Sequence, residues 1–172
     1  DGEREAVGKC YKGNGQDAAI ELGHQLVSGE NKAQRVAQWA NFIEKNPEGV
    51  LYCFRGGLRS KISQQWLYEH TGVMYPRVKG GYKAMRRFLL DEFEPSLAQV
   101  QPIMLAGSTG IGKTLFLREI QRSIDLEGVL NHRGSVFGKH VSEQPSQIDV
   151  DNQLSIALLR MADAGNPYVL LD

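Results

Sequence analysis

Cys53 lies in a segment rich in glycine and arginine, residues 52–60, with the sequence YCFRGGLRS. A thiolate at this position would lie among the backbone N–H groups of two glycines, at a helix N-terminus and between two arginines, and each of these features lowers a cysteine pKa. We therefore predict that Cys53 is a nucleophile that carries a transferred atom as a persulfide or its selenium analogue. The alternative is a small buried cysteine. Cys10 is expected to be structural or incidental, and a resolving role for it is the alternative. The candidate anion- or substrate-binding residues of this cysteine loop are Arg55, Gly56, Gly57, Arg59 and Ser60.

A second candidate site spans residues 107–114, GSTGIGKT, which fit the P-loop pattern G-x-x-x-x-G-K-[ST] at every fixed position. Its glycines let backbone N–H groups converge on phosphate oxygens, and Lys113 adds a positive charge. Thr114, together with Asp172 at the end of an apolar strand, is a candidate Mg²⁺ ligand, although Asp172 could equally be a strand cap. The loop suits ATP, GTP or any other di- or triphosphate. The candidate phosphate-binding residues are Gly107, Ser108, Thr109, Gly110, Ile111, Gly112, Lys113 and Thr114.

A polar turn at residues 131–135, NHRGS, offers further donors near the P-loop half of the chain. The candidate substrate-binding residues are Asn131, His132, Arg133 and Ser135. His132 has the type of side chain that serves as a general acid or base near neutral pH. The alternative interpretation is a polar surface turn.

Helices and short strands alternate around these segments. The apolar spacing predicts helices over residues 18–26, 32–45, 59–70, 82–93, 115–124 and 146–164. It predicts strands over residues 49–53, 73–76, 103–106, 129–130 and 168–171. Residues 94–102 are predicted to be a linker because a proline lies near each end. The alternation favours α/β units with parallel sheets.

Composition excludes several classes of protein. The 172 residues include 20 Lys or Arg and 20 Asp or Glu, with 41% hydrophobic and 23% charged residues, which is too apolar for a disordered chain. No apolar run is long enough to span a membrane, and the N-terminus lacks the apolar core of a signal peptide. Two cysteines are too few for a disulfide-stapled secreted domain, so we expect a cytoplasmic protein.

The cysteine loop resembles the active loop of rhodanese domains, which are sulfurtransferases. Four motifs in order, CFRGGLRS at 53–60, GGYKA at 80–84, GSTGIGKT at 107–114 and NHRGSVFG at 131–138, are similar to one family, the tRNA 2-selenouridine synthases. The resemblance covers residues 7–172 and implies a rhodanese-like parallel-sheet domain followed by a P-loop NTPase-like α/β domain. We expect residues 1–94 to form the first, 95–101 the linker and 102–172 the second. Because family members are longer at both ends, we expect both domains to be incomplete.

The resemblance implies an enzyme that converts the wobble 2-thiouridine of tRNA to 2-selenouridine. Selenophosphate is the selenium donor, and geranyl diphosphate supplies a geranyl group for an S-geranyl-2-thiouridine intermediate. By motif match, Cys53 corresponds to the family's essential cysteine, and residues 107–114 to its P-loop. The implied partners are the tRNA anticodon loop and selenophosphate synthetase, with Mg²⁺ as a possible ion and no membrane.

Basic residues cluster near the cysteine, although the whole chain has zero net charge. Residues 53–88 contain eight basic residues and one acidic residue, with Tyr75, Tyr82 and Phe88 interleaved. Such a segment is typical of contact with a phosphate backbone and stacking on bases, although part of it could be a solvated helix face. The candidate tRNA-binding residues are Lys79, Lys83, Arg86 and Arg87.

Three other functions fit the same motifs. One is a rhodanese-type sulfurtransferase in which the P-loop domain binds a nucleotide and regulates activity. Another is a P-loop ATPase or kinase in which the rhodanese half is only structural. The last is a fragment that binds ligands without turnover.

Overall fold

The computed structural model describes residues 2–108, 110–120, 122–132, 138, 141–165 and 168–171. The chain divides into two compact units, Asp1–Tyr82 and Lys83–Asp172. The helices in chain order are α1 (Gly2–Leu26), α2 (Gly29–Lys45), α3 (Leu58–Thr71), α4 (Gly81–Gln99), α5 (Lys113–Glu119), α6 (Leu126–Val129) and α7 (Gln147–Asp163). The strands are β1 (Gln101–Met104), β2 (Ser123–Ile124) and β3 (Tyr168–Leu171). None of the helices in the described ranges is both long enough and apolar enough to cross a membrane.

The first unit is built on α2 and α3, which pack around a small core of Ile43, Leu67 and Tyr75. Both helices confirm the sequence prediction. In α2, apolar residues three and four positions apart form one face, which meets α3. The C-terminus of α3 is closed by Gly72 in the left-handed conformation (φ 73°), and its N–H donates to the carbonyl of Tyr68 at 2.8 Å. This closure directs the chain back toward the core through Tyr75, whose hydroxyl donates to the carbonyl of Asn46 at 2.6 Å.

Two strands predicted in the first unit, at 49–53 and 73–76, do not form there. Among the described residues of this unit, the β contact is a single parallel bridge between Leu51 and Arg77. The two segments run beside each other, since the Leu51 N–H donates to the Pro76 carbonyl at 2.8 Å and the Val78 N–H to the Leu51 carbonyl at 2.9 Å. Residues 2–26, of which only 18–26 were predicted to be helical, form two helical segments that meet at a kink at Gly15 (φ 86°), and both are included in α1.

The second unit contains a parallel three-stranded sheet with the order β1-β3-β2. In this register, Met104 of β1 lies opposite Leu171 of β3. Parallel neighbours require crossover connections, and here α5 and α7 lie in them. The sheet and α7 share a core of Val100, Ile124, Leu158 and Val169. The predicted strand at 168–171 and the predicted long helix are confirmed.

Helix α7 begins at Gln147, one residue after the predicted start, and Ser146 is its N-cap. The Ser146 hydroxyl accepts from the Asp149 N–H at 3.3 Å and donates to the Asp149 carboxylate at 2.7 Å. These bonds satisfy a backbone donor that has no partner within the helix.

The linker predicted over residues 94–102 is wrong except at residue 100, because α4 continues through Pro95 to Gln99 and β1 begins at Gln101. A proline inside a helix removes one backbone hydrogen bond. Phe93 and Leu97 pack against the core of the second unit on either side of this proline, and Ser96 is buried. Burial of this apolar face compensates for the lost hydrogen bond. The domain limits 1–94 and 102–172 stay predictions.

The helix predicted over 115–124 is also too long, since α5 ends at Glu119 and β2 follows. The Ser123 hydroxyl donates to the carbonyls of Leu117 (2.7 Å) and Ile120 (2.8 Å), so a side chain satisfies carbonyls at the end of the helix. Ile124 then enters the sheet and the core. The strand predicted at 129–130 is wrong as well, because Val129 ends the short helix α6.

Candidate functional site

The cysteine loop connects the bridge at Leu51 to the N-terminus of α3. Cys53 is partly buried, and its Sγ lies 3.2 Å from the Ser60 Oγ and 3.9 Å from the Gly57 carbonyl oxygen. Ser60 lies in the first turn of α3, is only 3% exposed, and also donates to the Gly57 carbonyl at 3.1 Å. The thiol is therefore surrounded by polar groups of its own loop.

These groups change the acidity of Cys53. Burial raises the pKa of its thiol, but hydrogen bonds from the Ser60 hydroxyl and from the backbone N–H groups of Ser60, Arg55 and Gly57 lower it more. The net result lowers the pKa of Cys53 from 9.0 to about 7. At neutral pH about half of the side chain is then the nucleophilic thiolate. The sequence predicted a lowered pKa for Cys53, and in the structure hydrogen bonds are its cause. Ser60 contributes two of them, one from its hydroxyl and one from its backbone N–H.

The conformation of the loop depends on contact between two backbone segments. Gly56 (φ 66°) and Gly81 (φ 61°) are both in the left-handed region and pack against each other. A Cβ at position 56 would lie 2.6 Å from the Gly80 nitrogen, and a Cβ at position 81 would collide with the Cys53 carbonyl oxygen. The Tyr82 N–H donates to that same carbonyl at 3.0 Å. Sequence reasoning treated GGYKA as a family motif but gave its glycines no role at the cysteine, and the close approach explains why glycines stand there.

Arg77 is a positioning residue that sequence reasoning missed, because it was counted only as part of a basic segment. Its guanidinium Nη1 donates to the Gly56 carbonyl at 2.7 Å, and its Nε is buried without a hydrogen-bond partner among the described residues. A charged donor on the loop backbone fixes the carbonyl that precedes the N-cap Gly57. The structure brings residue 77 to the start of the loop through the parallel bridge between Arg77 and Leu51, a long-range pairing that the sequence does not indicate.

The two arginines of the loop, Arg55 and Arg59, are exposed and near the cysteine in sequence. Gly56 is half-buried, and Gly57 is exposed at the N-cap of α3. The loop therefore brings Cys53 together with Ser60 and Gly57, and it leaves both guanidinium groups on the surface. Their role in binding an anion stays a prediction.

The candidate tRNA-binding residues have different surroundings. Lys79 and Lys83 are exposed. Arg86 instead contacts α7, with Asp151 Oδ2 at 3.0 Å and Asn152 Oδ1 at 2.8 Å. Arg86 thus has its charge balanced within the second unit.

Two further residues of the segment 53–88, Arg87 and Tyr75, make contacts within the protein. Arg87 pairs with Asp91, one turn along α4, at 3.0 Å. Tyr75, predicted to stack on a base, is only 3% exposed and belongs to the core, so that prediction is wrong. Residue 49 must be a glycine for Tyr75 to occupy this place in the core, because a Cβ at position 49 would collide with the Tyr75 hydroxyl.

The P-loop lies between β1 and α5, as its motif requires. Gly110 (φ 83°) and Gly112 (φ 97°) adopt left-handed conformations, and Gly112 is the N-cap of α5. The Lys113 ammonium donates to the Gly107 carbonyl at 3.0 Å and therefore lies across the loop. A phosphate oxygen is a stronger partner for this ammonium than a neutral carbonyl. The arrangement is suited to binding a phosphate group.

The end of β3 adjoins the P-loop. The Leu105 N–H donates to the Leu171 carbonyl at 2.7 Å, one residue before the predicted Mg²⁺ ligand Asp172. Asp172 and Thr109 lie outside the described residues. Thr114 is half-buried in the first turn of α5, and the described residues contain no cluster of three His, Cys, Asp or Glu side chains that could hold a metal. Mg²⁺ binding by Thr114 and Asp172 stays a prediction.

The polar turn at 131–135 is only partly described, because Arg133 and Ser135 lie outside the described residues. Asn131 has a left-handed backbone (φ 49°), and its amide Nδ2 donates to the Ser142 Oγ at 2.9 Å and the Glu143 carbonyl at 3.0 Å. Its side chain thus ties this turn to the segment that precedes α7. The His132 N–H donates to the Glu127 carbonyl at 2.9 Å. The contacts of Asn131 favour a structural role, whereas substrate binding by this turn stays a prediction.

The parallel sheet with a phosphate-binding loop between β1 and α5 defines the second unit as a P-loop α/β domain. Residues 100–172 match the family described as the tRNA 2-selenouridine synthase AAA domain. This match confirms, for residues 100–172, the resemblance to tRNA 2-selenouridine synthases that the motifs indicated.

Curated relatives extend the similarity to both units. A tRNA 2-selenouridine synthase of Bordetella bronchiseptica is 59% identical over 96% of this chain and 45% of the relative. Those of Bordetella petrii and Ectopseudomonas mendocina are 57% and 55% identical, over 100% and 99% of this chain and 46% of each relative. The chain thus spans about half the length of these relatives.

One solved structure is also similar in part. It is the N-terminal domain of a protein described as ATP/GTP binding, from Clostridium difficile 630. The two sequences are 31% identical, the similar region covers 52% of this chain and 67% of the chain in that structure, and the TM-score is 0.42.

Proposed function

We propose that this chain carries the reactive cysteine and the phosphate-binding loop of an enzyme that converts wobble 2-thiouridine of tRNA to 2-selenouridine. One observation supports this most directly: Cys53, in a loop that resembles the family's cysteine motif, has a pKa of about 7 because its own loop supplies hydrogen bonds. A thiolate available at neutral pH is what transfer of sulfur or selenium requires. We further propose that the first unit is rhodanese-like.

The proposed chemistry has two steps. In the first, the thiocarbonyl sulfur of 2-thiouridine attacks C1 of geranyl diphosphate, an S–C bond forms, and diphosphate leaves. In the second, selenium from selenophosphate attacks C2 of the base, geranyl thiol leaves, and hydrolysis of the Se–P bond releases phosphate. Alkylation makes the sulfur a better leaving group, so the first step prepares the second. Cys53 is the proposed nucleophile for cleavage of that Se–P bond: its thiolate attacks phosphorus, the selenium stays on C2, and water then cleaves the S–P bond to release phosphate and regenerate the thiol.

The P-loop has a role in this scheme that needs no nucleotide. Geranyl diphosphate and selenophosphate both present phosphate oxygens, and the Lys113 ammonium lies across the loop at hydrogen-bond distance from a neutral carbonyl. We propose that the loop binds one of these two co-substrates, with Mg²⁺ as a possible additional ion. The proposed partners are the tRNA anticodon loop and selenophosphate synthetase as selenium supplier, in the cytoplasm.

The test is to introduce single substitutions into the chromosomal gene and to quantify modified nucleosides in tRNA by mass spectrometry. Cys53→Ser should abolish 2-selenouridine and leave S-geranyl-2-thiouridine unchanged or increased, because the sulfur alkylation does not use the thiolate. Cys10→Ser is the matched control and should change neither nucleoside. A normal level of 2-selenouridine in the Cys53→Ser strain would contradict the proposed role.

The same assay tests the P-loop. Lys113→Ala should lower the level of S-geranyl-2-thiouridine, of 2-selenouridine or of both, because the phosphate group loses its cation. Arg118→Ala, an exposed cation in the same helix α5, is the control. Wild-type levels of both nucleosides in the Lys113→Ala strain would exclude the loop from both steps.

A second candidate function is a rhodanese-type sulfurtransferase with a nucleotide-binding regulatory P-loop domain. The same polarised Cys53 favours it, since a thiolate near neutral pH also accepts sulfur as a persulfide. Turnover of thiosulfate or of a persulfide donor in the absence of tRNA would support this function over the first.

A further inference from the structure

One aromatic side chain of the cysteine loop, Phe54, stacks on a second aromatic ring, that of Tyr82. Phe54 follows Cys53 directly, and its ring stacks on Tyr82 with 6.0 Å between ring centroids and 22° between ring planes. This near-parallel geometry falls in the range of offset-stacked aromatic pairs. The sequence singled out Tyr82 but not Phe54, and it gave no indication that the two rings meet.

The pair is held in a fixed place relative to the nucleophile. The Tyr82 N–H donates to the Cys53 carbonyl at 3.0 Å, and Gly81 packs directly against that carbonyl. Phe54 shares a peptide bond with Cys53. The backbones of both aromatic residues are therefore joined to Cys53, one by a peptide bond and the other by a hydrogen bond.

The pair does not serve the core of the first unit. The core consists of Ile43, Leu67 and Tyr75, and neither ring belongs to it. Phe54 is 50% exposed. A half-exposed phenyl ring that stacks beside a reactive thiol offers a flat apolar surface to a ligand.

The charges around this surface favour an anionic ligand. Arg55 and Arg59 are exposed in the same loop, and residues 49–68 contain no Asp or Glu. A flat ring joined to phosphate groups combines the two properties that an aromatic face and nearby arginines recognise. Unpaired bases of single-stranded RNA loops have both properties.

We propose that Phe54, supported from behind by Tyr82, is the platform on which the unpaired target base of an RNA loop stacks when it approaches Cys53. This inference rests on the proposed function for the identity of the nucleic acid, and it adds the side chains that bind the base. Stacking on Phe54 orients the base next to the sulfur of Cys53, while the two arginines contact the phosphates on either side. Phe54 is thus a binding residue and Tyr82 a positioning residue.

The test measures binding of the purified 172-residue chain to a fluorescein-labelled RNA stem-loop with 2-thiouridine at the wobble position. Fluorescence anisotropy gives the dissociation constant. Phe54→Ala should weaken binding by about 5- to 150-fold, the range for loss of one stacked base. Phe54→Trp should bind as well as the unsubstituted chain or better. Phe42→Ala is the matched control, because Phe42 is similarly exposed (57%) but lies on α2, outside the loop.

A second RNA isolates the stacking contact. An abasic nucleotide at the wobble position should weaken binding to the unsubstituted chain and make Phe54→Ala and unsubstituted chains bind equally. The rate of Cys53 alkylation should be unchanged in Phe54→Ala, which shows that the loop keeps its conformation. Equal effects of Phe54→Ala on the thiouridine and abasic loops would overturn the platform.

The remaining outcomes separate this inference from the proposed function. If the chain binds the RNA loop but Phe54→Ala binds as tightly, the platform is wrong and tRNA as substrate stands. If Phe54→Leu binds the RNA as well as Phe54 does, an apolar contact suffices, and the site fits a prenyl chain better than a stacked base, which also overturns the inference. If the unsubstituted chain binds neither RNA, both the platform and RNA recognition by this chain are wrong.

Discussion

Replacing Ser60 by alanine should raise the pKa of Cys53 by removing the hydroxyl 3.2 Å from its sulfur. A hydrogen bond to a charged group contributes about 1.5–3 kcal/mol, and one pKa unit corresponds to about 1.4 kcal/mol. The pKa should therefore rise from about 7 by roughly 1–2 units. At pH 7 the thiolate fraction would fall from about one half to roughly 1–10%.

The rate of alkylation should change by less than the thiolate fraction, because a more basic thiolate is also more nucleophilic. With a Brønsted coefficient of about 0.4–0.5, each thiolate of Ser60→Ala should react roughly 3–8 times faster. The net result at pH 7 is a rate roughly 2–6 times slower than that of the unsubstituted chain. Above pH 10 the order should reverse, because both thiols are then fully ionised. A crossing of the two pH–rate profiles is the signature of this mechanism.

The assay is iodoacetamide alkylation from pH 5 to pH 11, followed by mass spectrometry of the peptide that contains Cys53, so that Cys10 does not contribute. Ser63→Ala is the control, because Ser63 lies in the same helix α3 and is not among the groups that lower the pKa of Cys53. Ser60→Thr keeps a hydroxyl and should restore most of the shift. If the midpoint for Ser60→Ala stays near 7, or if the profiles never cross, hydrogen bonding by Ser60 does not set the acidity of Cys53.

Three further predictions concern the loop and the second unit. In thermal unfolding, Gly81→Ala should cost about 1–3 kcal/mol more stability than Gly29→Ala. Both glycines have positive φ, but of the two only position 81 meets a neighbouring carbonyl. Equal losses in the two variants would refute the backbone contact. Ser146→Ala should cost about 1 kcal/mol through loss of the α7 cap, which chemical denaturation would measure, and an unchanged midpoint would argue against the cap. Hydrogen bonds from Gln147 and Arg86 lower the pKa of Asp151, so its ion pair with Arg86 stabilises the fold above the ordinary carboxyl pKa and is lost as the pH falls through the lowered value. Arg86→Met should therefore lower the melting temperature at pH 7, and the difference from the unsubstituted chain should narrow on acidification. A difference that does not change with pH would contradict this.

The sequence predicted well the features that depend on local patterns. The P-loop with its flanking strand and helix, the long helix predicted over 146–164 and the helix predicted over 59–70 all follow from patterns whose physical reason lies within a few residues. The lowered pKa of Cys53 was predicted for a similar reason, because glycines and a helix N-terminus adjoin it in sequence.

Features that depend on tertiary contacts were predicted less well. Pro95 was expected to end a helix, but the buried face formed by Phe93 and Leu97 keeps α4 helical. Tyr75 was expected on the surface because it lies among basic residues, and its burial depends on Gly49 and Asn46 from a distant segment. A single sequence contains no signal for these pairings.

The packing of Gly56 against the Gly80-Gly81 segment has a consequence for how this site can change. The main chain around Cys53 is held by contacts between backbone atoms and by the Arg77 guanidinium, so its course depends little on the exposed side chains of the loop. Phe54, Leu58 and Arg59 are exposed and can be exchanged without altering that frame. The loop is therefore a suitable scaffold for redesign: a library at these three positions could change the accepted substrate while the acidity of the thiol is retained.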